Sequence, residues 1–315
     1  MINTPVIRLR HRRSWSVVGA AVWFCSTMAS AQTPTPTSSP ADPKSTQIPS
    51  SISADLDVTY ATIDGRALAM DIFRPRDGGS NLPAILVVHG GGWLKGDKEK
   101  FRALALRLAE RGYVTAAVEY RLGGEAKFPA GIRDCNAATA YLRKNATTFK
   151  VDPDRIAAVG GSAGGHLVGL MAAGDRVSEL RHPGFLADVP THLSAAVVLA
   201  GPFQIVTGTV AKKSLADREN SNAVKWIGGD VRQKPAMYKL ADVHAKIDPS
   251  MPPTLFISGS LDSPERNESS REKMREFGRP TELIVHPDAK HGHWNRPEWI
   301  LRVVDDIDVF LKKHS

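Results

Sequence analysis

Ser162 lies within Gly160-Gly161-Ser162-Ala163-Gly164, a G-x-S-x-G pattern. A serine hydroxyl is a weak nucleophile near neutral pH. It becomes a strong one beside a base that a third group orients. The setting of the pattern suits that chemistry. It follows an apolar run, Ile156–Val159, and opens a predicted helix over 163–173. A strand–turn–helix of this kind strains the serine backbone and exposes its hydroxyl above the sheet, while small neighbours at 160 and 164 allow the tight turn. A second glycine run, His89-Gly90-Gly91-Gly92-Trp93, follows another apolar stretch, Ala84–Val88. Consecutive glycines let backbone N–H groups turn toward a ligand. Together with the N–H of Ala163 they can stabilise the oxyanion of a tetrahedral intermediate. No Gly-Lys-Ser/Thr follows, which argues against a phosphate loop.

The orienting acid is expected after a late strand. Asp262 follows Pro253–Ser258, with Glu265 and Asp288 as competitors. The base is expected after the last strand, Thr281–Val285, where His286, His291 and His293 all stand. His286 sits at the strand end and reads as structural. His291 is favoured as the base, with His293 as the alternative. If that loop is locally extended, these two side chains point to opposite sides, so only one can meet Ser162. His-x-His without a third ligand does not make a metal site, so no metal is expected.

The rest of the chain must hold these groups in place. Asp57–Ala61 and Leu68–Phe73 flank Asp64-Gly65, a hairpin signal. Strands are predicted at 84–88, 114–118, 156–159, 195–199, 253–258 and 281–285. Helices are predicted at 98–111, 132–146, 163–173, 265–277 and 298–312. Asp152-Pro153-Asp154 reads as a turn. Such alternation implies an α/β fold, with a mostly parallel central sheet and helices on both faces. Residues 201–250 are the least regular and read as a small lid insertion. Phe203 and Trp226 in that insertion, with Trp93 and Trp294, are candidate pocket-lining residues. Asp134, Cys135 and the pair Lys212-Lys213 read as structural or solvated.

Hydrophobic residues make up 42% and charged residues 23%, and no apolar run of 18 residues occurs, so a polytopic membrane protein is excluded. The formal charge is +8, but residues 1–31 hold four arginines and no acid, which leaves +4 on the remaining 284. That is too mild to argue for nucleic acid. Arg8 to Arg13, the short apolar stretch Trp15–Met28 and Ala29-Ser30-Ala31 form the three parts of a signal peptide. We therefore expect export, with cleavage near Ala31 and Cys135 as the one cysteine left. Residues 32–54, rich in Pro, Thr and Ser, read as a flexible lead-in, and 55–315 as one catalytic domain.

Taken in order, these motifs resemble the α/β-hydrolase superfamily. Specifically, they resemble esterases with an HGGG loop, of the hormone-sensitive-lipase-like and bacterial feruloyl- and acetyl-esterase-like groups. The matching stretches are His89–Trp93, Tyr120-Arg121-Leu122, Phe128-Pro129-Ala130 with Asp134, Asp152–Ile156, Gly160–His166, Pro252–Asp262 and His291. The resemblance implies Ser162, Asp262 and His291 as catalytic residues. It implies Gly91 and Gly92, with Ala163, as oxyanion donors, and no cofactor. It also implies small-molecule or saccharide esters of short acyl or feruloyl groups as substrates. The sequence departs from the family at Ser263-Pro264-Glu265 after Asp262, and at His293-Trp294 after His291. An amide hydrolase on the same fold, or a non-catalytic binding protein, is the alternative. The second predicts a missing triad member, and none is missing.

Overall fold

The computed structural model describes residues 42–314. The expected signal peptide and residues 32–41 of the lead-in lie outside them. The strands are β1 (Ile52–Ile63), β2 (Arg66–Pro75), β3 (Leu82–Val88), β4 (Val114–Val118), β5 (Val151–Gly161), β6 (Ala196–Leu199), β7 (Thr254–Gly259) and β8 (Thr281–His286). The helices are α1 (Arg102–Ala109), α2 (Ala130–Lys144), α3 (Ala146–Phe149), α4 (Ala163–Ala173), α5 (Gly208–Ala216), α6 (Asn222–Ile227), α7 (Pro235–Ala241), α8 (Glu268–Glu276) and α9 (Pro297–His314).

The eight strands form one sheet in the order β1-β2-β4-β3-β5-β6-β7-β8. β2 runs antiparallel to both β1 and β4, and every other pair is parallel. β4, β6, β7, most of β3 and the Ile156–Gly161 part of β5 are buried on both faces, which is why they read as continuous apolar runs rather than alternating ones. On one face, Ile85, Val87, Val159 and Ile257 pack with Leu104 of α1 and Ile300, Val304 and Phe310 of α9. On the other, Leu86, Val88, Ala158 and Val198 pack with Ile132 and Leu142 of α2 and Leu167 and Met171 of α4.

Three local expectations are revised. β1 begins at Ile52, which is 1% exposed, so the lead-in gives way to strand before residue 55. The turn at Asp152–Asp154 lies inside β5. Pairing with β3 jumps from Leu82–Val151 to Ala84–Ile156, and the Asp154 N–H folds back onto Asp152 Oδ1 at 3.0 Å. Pro153 has no N–H to give the ladder, so the excursion leaves one fewer backbone donor unpaired. The insertion after β6 is built from three short helices, α5 to α7. By contrast, the hairpin at Asp64-Gly65 is as expected, with both residues at positive φ (50° and 80°).

The loops after β3, β5, β7 and β8 all leave the carboxyl ends of parallel strands. They carry His89–Trp93, Ser162, Asp262 and His291, so four sequence-distant segments meet at one end of the sheet.

Candidate active site

Ser162 occupies the single residue between β5 and α4, at φ 57° and ψ −119°. A non-glycine residue pays for that conformation only where its surroundings over-determine it. Here the Ser162 N–H donates to Leu199 O at 2.8 Å, and its carbonyl accepts from His166 N at 3.0 Å. The turn is packed against β3 so closely that a Cβ on Gly164 would stand 2.2 Å from Val88 O. Glycine is required there, and the serine side chain is left facing a cavity.

The His89–Trp93 loop lies beside this turn. Gly91 has φ 142°, and a Cβ there would meet Lys95 O at 1.7 Å. Its carbonyl is turned away, accepting from Leu94 N and Lys95 N. Among the described residues, the N–H groups of Gly91, Gly92 and Ala163 donate to no protein acceptor. Ala163 is the first residue of α4, where the helix itself supplies no acceptor. His89 anchors the loop. Its ring is buried, lies 3.0 Å from Gly90 O, and stacks on Tyr120 at 4.3 Å, while the Tyr120 hydroxyl donates to His89 O at 2.9 Å. Burial drives the His89 pKa down to about 4, so the ring is neutral.

His291 Nδ1 donates to Asp262 Oδ2 at 2.6 Å. Asp262 is buried, whereas His291 is half exposed. The second carboxylate oxygen, Oδ1, accepts from Arg266 Nη2 at 3.0 Å. Burial alone would raise the Asp262 pKa. The hydrogen bond and charge of His291, with the charge of Arg266, outweigh it and hold the carboxyl below its ordinary value. Gly92, Trp93, Ser162, Ala163, His291 and Arg266 line one cavity of about 390 Å³. That volume falls within the range that takes a small-molecule ligand.

The competing acids and bases are elsewhere. Glu265 lines the cavity but meets no histidine. Asp288 is exposed, and its N–H donates to Ser260 Oγ. His286 and His293 are fully buried beneath the loop of His291, with His286 Nδ1 2.9 Å from His293 Nε2 and His286 Nε2 2.7 Å from Asp306 Oδ2. Burial, then the neighbouring His286, lowers the His293 pKa to about 4.

Of the aromatic residues expected to line the pocket, Trp93 does so and three do not. Trp226 stacks behind Trp93 at 4.8 Å and lies edge-on to Phe128 at 4.7 Å, so it backs the wall without facing the cavity. Phe203 is fully buried against Phe256, at 5.1 Å, and against Gly169 of α4. Trp294 is wedged under the elbow. A Cβ on Gly161 would meet its Nε1 at 2.6 Å, and its ring lies edge-on to His291 at 5.2 Å. Large aromatic side chains are what a core claims first. The walls are instead set by Gln204, Thr209, Val210 and Asn222 of the insertion and by Arg266. Only Arg266 had a readable signal, since it stands four residues after Asp262. Asp134 is structural, as expected, paired with Arg121 at 2.8 Å, and Lys212 and Lys213 are exposed.

Residues 70–275 match the family model described as BD-FAE. The chain is 28% identical over 278 residues to the versiconal hemiacetal acetate esterase of Dothistroma septosporum, covering 82% of this chain and 79% of that one. It spans 58%, 56% and 35% of the length of three further curated relatives that it matches. Among solved structures, a truncated carbohydrate esterase from gut microbiota superposes with a TM-score of 0.72 at 22% identity, covering 83% of this chain and 95% of that one. A propionate-bound esterase of Thermogutta terrifontis gives a TM-score of 0.68 at 25% identity, with 84% and 94% covered.

Proposed function

Given that the chain belongs to the BD-FAE family of α/β-hydrolases and is a serine carboxylic ester hydrolase, we propose that it cleaves short-acyl esters of hydroxyl-rich alcohols through an acyl-enzyme on Ser162. In this reading Ser162 Oγ attacks the acyl carbon while His291 Nε2 takes its proton. Asp262 holds the opposite ring nitrogen and favours the imidazolium that forms. The N–H groups of Gly91, Gly92 and Ala163 receive the oxyanion. His291 then passes its proton to the departing alcohol, and water repeats the sequence to release the acid. No cofactor takes part.

The observation that carries the substrate reading is the cavity wall. Around Ser162 it presents Gln204, Thr209, Asn222 and Glu265, side chains that exchange hydrogen bonds with hydroxyl groups, and one aromatic face, Trp93. A volume of about 390 Å³ suits a small acyl group with part of a sugar or similar polyol and is short for a long fatty chain. The propionate in the Thermogutta esterase and the carbohydrate named for the gut enzyme support the same direction. The Trp93 face would also receive a feruloyl ring. A panel of acetyl, butyryl, octanoyl and feruloyl esters, with an acetylated xylan and an aryl formamide, tests this. We expect kcat/KM to be highest for acetyl to butyryl esters and to fall at octanoyl. A preference for octanoyl or for the formamide would overturn it.

We further propose that the enzyme works outside the cytoplasm, after cleavage following Ala31. The basic, apolar and small-residue segments of residues 1–31 support this. Exported protein should begin at Gln32 on N-terminal sequencing, and exported material beginning at Met1 would contradict it.

A further inference from the structure

Asp262 has two carboxylate oxygens and one side-chain partner for each. Oδ2 takes the His291 Nδ1–H at 2.6 Å, and Oδ1 takes Arg266 Nη2–H at 3.0 Å. Among the described residues, no backbone N–H donates to either oxygen, so the carboxylate is aimed by these two side chains alone. Arg266 is itself pinned. Its Nη1 donates to Ala200 O at 2.5 Å, on the loop that follows β6. The next residue fastens the same turn to the same loop, with Asn267 Nδ2 donating to Gly201 O at 2.8 Å and Asn267 Oδ1 accepting from Phe203 N at 2.9 Å. Two neighbouring residues of the turn Pro264–Asn267 therefore grip the segment after β6, and one of them reaches back to the acid.

We propose that Arg266 is a positioning residue. It fixes the Asp262 carboxylate in the rotamer that orients His291, and its charge sets how readily that histidine takes up a proton. This rests on the Ser162–His291–Asp262 reading above. A guanidinium fork suits the task because it binds two oxygens at fixed geometry, which a lysine cannot reproduce. The charged and titratable groups around the pair are Arg266 and Glu265 on the turn, and Asp288, Lys290 and His293 on the loop of His291. Asp288 and Lys290 are exposed, and His293 is buried and neutral. Arg266 is thus the one cation of this set bonded to Asp262. Without it the carboxylate holds its charge more strongly toward His291, which stabilises the imidazolium before it is needed.

The test is kcat, KM and the acid limb of kcat/KM for Arg266→Gln and Arg266→Lys, each in the native and the Asp262→Asn background. We expect R266Q to lower kcat roughly ten- to a hundred-fold with KM changed less than about three-fold. Its acid limb should move to higher pH by about half a unit or more. R266K should keep the limb in place and recover part of kcat. In the Asp262→Asn background neither substitution should matter, because Arg266 acts through the carboxylate. A folded R266Q with native kcat and limb overturns the inference. So does an equal loss in both backgrounds, which would mean direct contact with substrate. If R266Q fails to fold, R266K carries the same cycle. A kcat loss that vanishes in the Asp262→Asn background supports the inference, and no loss, or the same loss in both, overturns it. If Asp262→Asn alone keeps native activity, the triad reading has failed first.

Discussion

The imidazoles of His286 and His293 share a hydrogen bond of 2.9 Å that closes the base of the loop carrying His291. His293 Nδ1 also donates to Lys290 O at 3.1 Å, so this buried ring is tied to both ends of the segment that holds the proposed base. His293→Ala removes both ties and leaves a void under Trp294. We expect a stability loss of about 1–3 kcal/mol and a moderate fall in kcat, with the acid limb of kcat/KM retained. His291→Ala should cost most of the activity and abolish the limb. Urea denaturation and pH-rate profiles of the two variants check this, and an inactive H293A beside an active H291A would move the base by two residues.

Trp93 is held from behind as well as stacked. Its Nε1–H donates to His166 Nδ1 at 3.3 Å, while His166 Nε2–H donates to Ala241 O at 2.8 Å. Trp93→Phe keeps a ring against Trp226 and leaves the His166 acceptor unmade in a dry site, an expected cost of about 1–3 kcal/mol. Trp93→Ala should also widen the cavity and shift preference toward longer acyl chains. Denaturant midpoints and an acyl-length series measure both, and an unchanged chain-length profile in the alanine variant would show that this wall does not limit the substrate.

Three of the buried histidines give the fold a predictable sensitivity to acid. Burial lowers the pKa of His89, His166 and His293 to about 4 each, against an ordinary value of 6.5. Between these values the unfolded chain binds protons that the folded chain does not. Stability is therefore fully present above about pH 6.5 and falls as pH drops below it, with a slope approaching 1.4 kcal/mol per pH unit for each ring. Urea midpoints at pH 7.5, 6.5 and 5.5 should be level across the first interval and fall across the second. A level profile to pH 5.5 would contradict the neutral, buried assignment.

Asp134 illustrates a buried charge that serves structure. It accepts from Arg121 N and from the Arg121 guanidinium at 2.8–3.2 Å and is fully buried. Asp134→Ala strands the arginine beside the core. We expect a loss of about 3–5 kcal/mol in thermal or denaturant stability, with KM of the surviving enzyme unchanged.

The elements that position the site were legible because their signals are local. The β5–Ser162–α4 turn, the glycine loop after β3 and the Asp64-Gly65 hairpin each carry their constraint in adjacent residues. The pocket wall was not legible, because it is decided by which insertion residues the core leaves over. Phe203 and Trp226 looked like pocket residues and were taken by the core, while Gln204, Thr209 and Asn222, unremarkable in sequence, were left facing Ser162. What separates His291 from His293 in the structure is likewise tertiary, since His291 meets Asp262 and His293 does not. His286 lies beneath the loop and binds His293.

Covalent labelling tests whether Ser162 is the nucleophile. The Ser162 oxygen should bond the phosphorus of a fluorophosphonate ester as fluoride departs to solvent, leaving one phosphonyl group per chain on the peptide that contains Ser162. Peptide mass spectrometry should find that adduct in step with loss of esterase activity, and Ser162→Ala, folded but with turnover down roughly 10⁴-fold or more, should take up none. Complete inactivation with Ser162 unmodified, or equal labelling of the alanine variant, would contradict it.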